Sequence, residues 1–82
     1  MSESGHDLHS LFPGREETMH ALKLNDELFK ALADRHHLLS HQIHRIETDI
    51  EPASDRRLEE LKKERLAVLD EIAAMIARRE TA

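Results

Sequence analysis

The sequence predicts an all-α protein, in which a short N-terminal helix is followed by a long antiparallel helical hairpin that resembles a coiled coil. Three observations lead to this prediction. Charged residues make up 35% of the 82-residue chain and aromatic residues only 2%, which is typical of long exposed helices. Apolar residues recur at helical spacing along two long stretches. A single proline, Pro52, separates these two stretches.

The longest apolar repeat predicts a helix over residues 26–50. Its members alternate in spacing between three and four residues, the heptad pattern of a helix–helix seam. They are Phe29, Leu32, His36, Leu39, Ile43, Ile46 and Ile50. Asn25 is a suitable N-cap for this helix. Pro52 biases Glu51 away from helical geometry, so we expect a turn there.

A second long helix is predicted over residues 55–79, with Ser54 as its N-cap. Its apolar residues cluster on one face at 100° per residue. They are Leu58, Leu61, Val68, Leu69, Ile72, Met75 and Ile76. Because only about four residues join the two long helices, we expect them to be antiparallel neighbours. In the register that follows, Ile43 faces Arg65.

The N-terminal part of the chain is predicted to be less regular. Residues 1–10 are polar and are expected to form a disordered tail, whereas residues 11–82 form a single domain. A short helix is predicted over residues 13–23, because Pro13 is tolerated in a first helical turn. The apolar side chains of this region either cover part of the hairpin or contact a partner. They are Leu11, Phe12, Met19 and Leu22.

The charge balance argues against several functions. Twelve basic and 17 acidic residues give a formal net charge of −5, which disfavours nucleic acids and anionic membranes as partners. No apolar run approaches the roughly 20 residues of a membrane span, and there is no cysteine. The sequence shows no nucleophile–base pair and no glycine-rich phosphate loop. We therefore expect a cytoplasmic protein that is not an enzyme and uses no cofactor.

Two polar residues interrupt the predicted seam. Arg65 lies at the centre of the apolar face of the last helix, where a charge needs a partner or access to water. One interpretation is an ion pair between Arg65 and Glu47 across the hairpin. The alternative is that the Arg65 methylene groups lie along the seam and its guanidinium reaches water. His36 faces Ile72 in the predicted register. We expect a packed, hydrogen-bonded core histidine rather than a pH switch.

Three further histidines form a candidate metal site. His37, His41 and His44 lie on the helix side opposite the seam, at spacings that suit Zn²⁺ or Ni²⁺. The same patch offers no Asp, Glu or Cys, so other ligands have to come from His6, His9 or a second subunit. The alternative interpretation is a solvated face that is rich in histidine, and we favour it.

The order and spacing of short motifs resemble those of the YdcH-like family. The motifs are Phe12-Pro13, Leu22-Lys23, Phe29-x2-Leu32, His36-x2-Leu39, Ile43, Arg45, Glu47, Leu61-Lys62-Lys63-x-Arg65-Leu66 and Asp70-Glu71. The resemblance implies a bacterial cytosolic protein with a short N-terminal helix and a long hairpin. It implies no established activity, cofactor or catalytic residue. Ser40 stands where the family usually has Asp, and Leu69 where Lys is common.

The leading functional hypothesis is a non-catalytic protein-interaction or assembly module. A chain of this length rarely builds a strong core, and each hairpin helix buries only one stripe. We therefore expect a homo-oligomer or an unknown protein partner. The residues predicted to carry packing or partner contact are Phe12, Met19, Leu22, Phe29, His36, Glu47 and Arg65. The alternative hypothesis is a metal-binding protein that uses His37, His41 and His44.

Overall fold

The computed structural model describes residues 8–48, 50 and 52–81, which form four helices and no strand. The helices are α1 (Leu8–Leu11), α2 (Glu16–Asn25), α3 (Glu27–Glu47) and α4 (Asp55–Thr81). The all-α prediction is confirmed. Among these helices, none combines the length and the apolar character that a membrane span requires.

The N-terminal helices begin and end at other residues than predicted. Part of the predicted tail, Leu8 to Ser10, belongs to α1, whereas residues 1–7 lie outside the described part of the chain. The helix predicted from residue 13 begins only at Glu16. The reason is a turn at Gly14, whose φ of 81° is readily adopted only by a residue without a side chain.

One residue, Asp26, separates α2 from α3. Its extended backbone (φ −134°, ψ 110°) ends α2, and its Oδ1 accepts a hydrogen bond from Phe29 N at 3.1 Å. Asp26 is therefore the N-cap of α3, and the prediction of Asn25 was wrong. Asn25 is still helical, and its side-chain amide donates to the carbonyl of Ala21 at 2.9 Å. Asn and Asp are both suitable N-cap residues. Asp26 is the N-cap here because its backbone is extended, whereas that of Asn25 is helical.

α3 ends at Glu47, three residues before the predicted end. The Thr48 hydroxyl donates to the carbonyl of His44 at 2.8 Å, and Thr48 N donates to the same carbonyl at 3.0 Å. Thr48 is also the residue whose carbonyl a helical Pro52 would clash with, so the helix cannot continue through Pro52. Ile50, predicted as the last seam residue, lies beyond this end and is 61% exposed.

The start of α4 agrees with the prediction. Ser54 Oγ accepts a hydrogen bond from Arg57 N at 3.1 Å, and the Ser54 carbonyl accepts one from Leu58 N at 3.1 Å. The prediction of Ser54 as N-cap is confirmed. α4 continues to Thr81, two residues beyond the predicted end.

The core lies between the two long helices and α2. α2 contributes Met19 and Leu22, while the other buried apolar side chains come from α3 and α4. These are Phe29, Ala33, Leu39, Ile43, Leu61, Val68, Ile72, Met75 and Ile76. Removing this apolar surface from water is the main force that holds the helices together.

Polar contacts between described residues connect α3 with α4. They are Glu47–Lys62 (Oε2 to Nζ, 2.8 Å), Ser40–Arg65 (Oγ to Nη1, 3.5 Å) and Arg35–Glu64 (Nε to Oε2, 2.9 Å). From Glu47 back to Ser40, the partner on α4 moves forward from Lys62 to Arg65, as expected for helices that run in opposite directions. Arg35 does not continue this order, because its partner Glu64 lies one residue before Arg65.

Candidate interaction surface

α2 is held against the long helices by two apolar side chains and a polar contact. Met19 and Leu22 are only 3% and 6% exposed. Near the start of the helix, Glu80 of α4 forms an ion pair with Arg15 (Nε to Oε1, 3.3 Å) and accepts a hydrogen bond from Thr18 at 3.0 Å. Of the two roles considered for Met19 and Leu22, the structure shows that they cover the core.

Three other residues predicted to pack do so to different degrees. Phe29 is completely buried, and His36 is 2% exposed among the buried residues of the core. Phe12 is half-buried and packs against the same core from the segment between α1 and α2. Phe29 and His36 belong to the interior of the protein, so a partner that binds the folded chain would not contact them.

The two charged residues predicted to pair lie in different contacts. Glu47 forms its ion pair with Lys62, and Arg65 donates to the Ser40 hydroxyl at 3.5 Å. Ser40 precedes Ile43, the residue expected to face Arg65, by about one helical turn. Arg65 is half-buried and its guanidinium reaches a neutral hydroxyl at the edge of the seam.

The histidine face is largely solvated. His37 and His41 are exposed and His44 is half-buried. Within the described ranges 8–48, 50 and 52–81, no group of three or more His, Cys, Asp or Glu could hold a metal ion. His6 and the side chain of His9, the proposed additional ligands, lie outside the described residues. The alignment of three histidines on one helix therefore gives no metal site in the described structure.

α3 carries a second heptad repeat that the sequence analysis missed. Its members are Leu28, Ala31, Arg35, Leu38 and Gln42, which we call the outer stripe. Their spacing of three, four, three and four residues equals that of the buried seam, from which the outer stripe is rotated by about a quarter of a turn. Leu28 is 57% and Leu38 52% exposed. The signal in the sequence was the heptad spacing of these two leucines.

The single charge within the outer stripe is already paired. Arg35 donates from Nε to Glu64 Oε2 at 2.9 Å, and the same carboxylate oxygen also contacts Arg35 Nη2. Both side chains are about half exposed. The two leucines therefore lie on either side of an ion pair that belongs to the folded chain itself.

The row of residues beside the outer stripe carries charges of both signs. Its members are Glu27, Lys30, Asp34, His37 and His41. The acidic Glu27 in the first turn of α3 suits the positive end of the helix dipole. The flank of the outer stripe is thus a mixed polar surface.

Other large apolar side chains are exposed on other elements. Leu24 on α2 is 70% exposed, Leu66 on α4 60% and Leu11 at the end of α1 39%. Isolated exposed leucines are common in folded proteins and need no special explanation. Leu66 is as exposed as the leucines of the outer stripe, which makes it a matched control for them.

A cavity of about 230 Å³ lies at the junction of α2 and α4. Its lining consists of Leu22, Asp26, Met75, Arg78 and Arg79. Leu22 and Met75 are core residues, and the Asp26 carboxylate caps α3. One polar lining residue, Asp26, therefore already serves the fold.

The described residues form a small all-helical protein with two exposed leucines, Leu28 and Leu38, on one side of α3. The sequence model of the family described as "Protein of unknown function (DUF465)" matches residues 29–76, more than half of the chain. The chain belongs to this family. The YdcH-like proteins are part of the same small bacterial family, so the resemblance is confirmed. Searches of curated proteins and of solved structures found no significant match.

Proposed function

We propose that this chain is a non-catalytic protein-interaction or assembly module of the bacterial cytoplasm, built on an antiparallel hairpin of α3 and α4. One observation carries the proposal. The outer stripe places Leu28 and Leu38, each more than half exposed, about a quarter of a turn from the buried seam of α3. Docked helices are commonly recognised through apolar anchors on one helix face.

The apolar side chains of the outer stripe offer a substantial gain on binding. Complete burial of a leucine stabilises a complex by about 1.5–3 kcal/mol relative to leaving it exposed. Leu28 and Leu38 are each more than half exposed. Covering them with a partner would therefore contribute a large part of this free energy to binding. Their spacing lets one helix cover both at once.

The hairpin is supported by the order of the polar contacts and by the short connection over residues 48–54. The chain has no cysteine, so pairs of cysteines can be introduced without interference. In a Glu47→Cys/Lys62→Cys variant, a short thiol-specific cross-linker should join the two positions rapidly within one chain. A Glu47→Cys/Arg79→Cys variant is the control, and equal cross-linking in both would contradict the antiparallel arrangement.

The interaction role is tested with three forms of the protein. Wild type, the Leu28→Ser/Leu38→Ser variant and the Leu66→Ser control are used as baits for cross-linking in native cells, and their mass in solution is measured. We expect that wild type and Leu66→Ser associate, with a second copy or another protein, and that the double variant does not. A wild-type chain that binds neither would refute the proposed function.

A further inference from the structure

We propose that two copies of this chain exchange their α2 helices, so that each α2 packs on the hairpin of the other copy. Exchange of an identical element between copies produces a dimer at low cost, because both copies already contain the complementary surfaces. This inference goes beyond the proposed function, since it does not use the outer stripe. Three features carry it: the junction at Asp26, the apolar repeat across that junction and the contacts that hold α2.

The junction between α2 and α3 is close to a continuous helix. Asp26 N donates to the carbonyl of Leu22 at 2.8 Å, and Lys30 N donates to the carbonyl of Asp26 at 3.1 Å, both at the helical spacing of four residues. In an unbroken helix, the amides of residues 27–29 would also bond to carbonyls of α2. Only Asp26, with φ of −134° and ψ of 110°, departs from helical backbone at this junction. One residue therefore separates the bent arrangement from a straight helix over residues 16–47.

The apolar repeat of α3 continues into α2 without a change of phase. Leu22 precedes Phe29 by seven residues, and His36 and Ile43 follow at the same interval. A continuous amphipathic helix needs such a shared repeat, whereas two helices joined by a bend do not. The sequence of α2 and α3 thus suits a straight helix as well as the bent one.

The described contacts of α2 can form equally well with a second copy. Met19 and Leu22 are its buried side chains, and Glu80 of α4 binds Arg15 and Thr18. An exchanged α2 would bury the same two side chains and meet the same carboxylate, which then belongs to the other chain. Exchange therefore restores the contacts that are lost when α2 leaves its own hairpin, and the straightened junction adds backbone hydrogen bonds.

The short connection at Asp26 makes exchange depend on concentration. A short tether gives α2 an effective concentration on the order of millimolar or above at its own hairpin. We therefore expect exchange near millimolar concentration, after the chains have been unfolded and refolded together. At micromolar concentration α2 stays on its own chain, so association through the outer stripe is measured there without interference.

The exchange is tested with two single-cysteine chains, since the protein has no cysteine of its own. Thr18→Cys and Glu80→Cys mark two side chains whose oxygens lie 3.0 Å apart in the folded chain. The two chains are unfolded together, refolded at about 1 mM and treated with a short thiol-specific cross-linker. Exchange should give a covalent heterodimer with one chain of each kind.

The matched control is a mixture of Thr18→Cys with Leu66→Cys. Leu66 is exposed and lies near the middle of α4, whereas Glu80 lies near its end. The control mixture should give several times less heterodimer, because only random collisions join its cysteines. Equal yields from the two mixtures overturn the inference.

The role of the junction is tested by two substitutions that both remove the Asp26 carboxylate. Alanine favours helical backbone, whereas glycine disfavours it and remains suitable for a bend. After refolding at high concentration, the dimerisation constant of Asp26→Ala should exceed that of Asp26→Gly by at least about tenfold, since each dimer contains two junctions. Sedimentation velocity measures both constants, and equal values contradict exchange through a straightened junction.

Failure of this inference differs from failure of the proposed function. Leu28→Ser/Leu38→Ser keeps α2 and its contacts, so the cysteine mixture should give the same yield of heterodimer on this background. If the heterodimer is lost with the two leucines, the chains associate through the outer stripe and exchange is wrong. If no heterodimer exceeds the control although wild type captures a partner through these leucines, exchange is wrong and the interaction role stands.

Discussion

Arg65 of α4 donates a hydrogen bond to the Ser40 hydroxyl of α3 at 3.5 Å. The guanidinium is half-buried at the edge of the seam, and a neutral hydroxyl at this distance is a weak acceptor for it. The contact is therefore a place where a charged acceptor on α3 would strengthen the interaction between the long helices.

Ser40→Asp should stabilise the protein. An aspartate would replace a long neutral hydrogen bond with an ion pair to Arg65, worth about 0.2–1 kcal/mol at a partly exposed site. Urea denaturation measures the free energy of unfolding, and the gain should shrink at high salt. Ser40→Asn is the control of similar size, and an equal gain from Asn would exclude a charge effect.

Two adjacent leucines of α3 should respond differently to truncation. Leu39 is completely buried and Leu38 is 52% exposed. Leu39→Ala should cost about 2–5 kcal/mol, because it removes buried apolar atoms and leaves a cavity. Leu38→Ala should change the stability of the monomer by less than about 0.5 kcal/mol. Thermal unfolding of dilute protein compares them, and similar losses would contradict the burial of the seam.

Loss of the Glu80 contacts should loosen α2 without unfolding the long helices. Glu80→Gln removes the ion pair with Arg15 and weakens the bond from Thr18, at a cost of about 1 kcal/mol or less. Hydrogen exchange should accelerate in Glu16–Asn25 but not around Ile72. Glu71→Gln, at an exposed position on the same helix, is the control and should leave the exchange of α2 unchanged.

Removal of the shared cap should destabilise the start of α3. Asp26→Ala eliminates the acceptor for Phe29 N and should cost about 1 kcal/mol. Asp26→Asn keeps a side-chain oxygen at the same place and should cost clearly less. Chemical denaturation of both variants decides this prediction. Equal losses would show that the charge of Asp26, rather than its hydrogen bond, stabilises the junction.

The centre of the seam could be predicted from the sequence, because residues that are buried along one side of a helix are apolar at helical spacing. Phe29, Leu39, Ile43 and Ile72 are apolar at helical spacing, and all four are completely buried. Helix ends were harder, since they depend on local hydrogen bonds. α3 ends at Glu47, where the Thr48 hydroxyl and amide both bind the His44 carbonyl, and a bond of this kind has no periodic signal.

The candidate surface was harder to predict than the core. The outer stripe has the same spacing as the seam, but Ala31, Arg35 and Gln42 weaken its apolar character. Only the exposure of Leu28 and Leu38 distinguishes it from an ordinary solvated face. The histidine cluster was easy to recognise in the sequence, because helical spacing aligns its side chains. This spacing does not supply the remaining ligands that a metal ion needs, and the described residues contain no such group.

Asp26, the non-helical residue between α2 and α3, limits how far the N-terminal part of the chain extends from the core. If Asp26 adopted helical backbone, residues 16–47 would form one continuous rod about 48 Å long at 1.5 Å per residue. The longest dimension of the folded protein is 43 Å. Such a rod would carry Met19 and Leu22 away from α4 and into water. The extended backbone of Asp26 thus holds α2 over the core and prevents this helix from projecting into water.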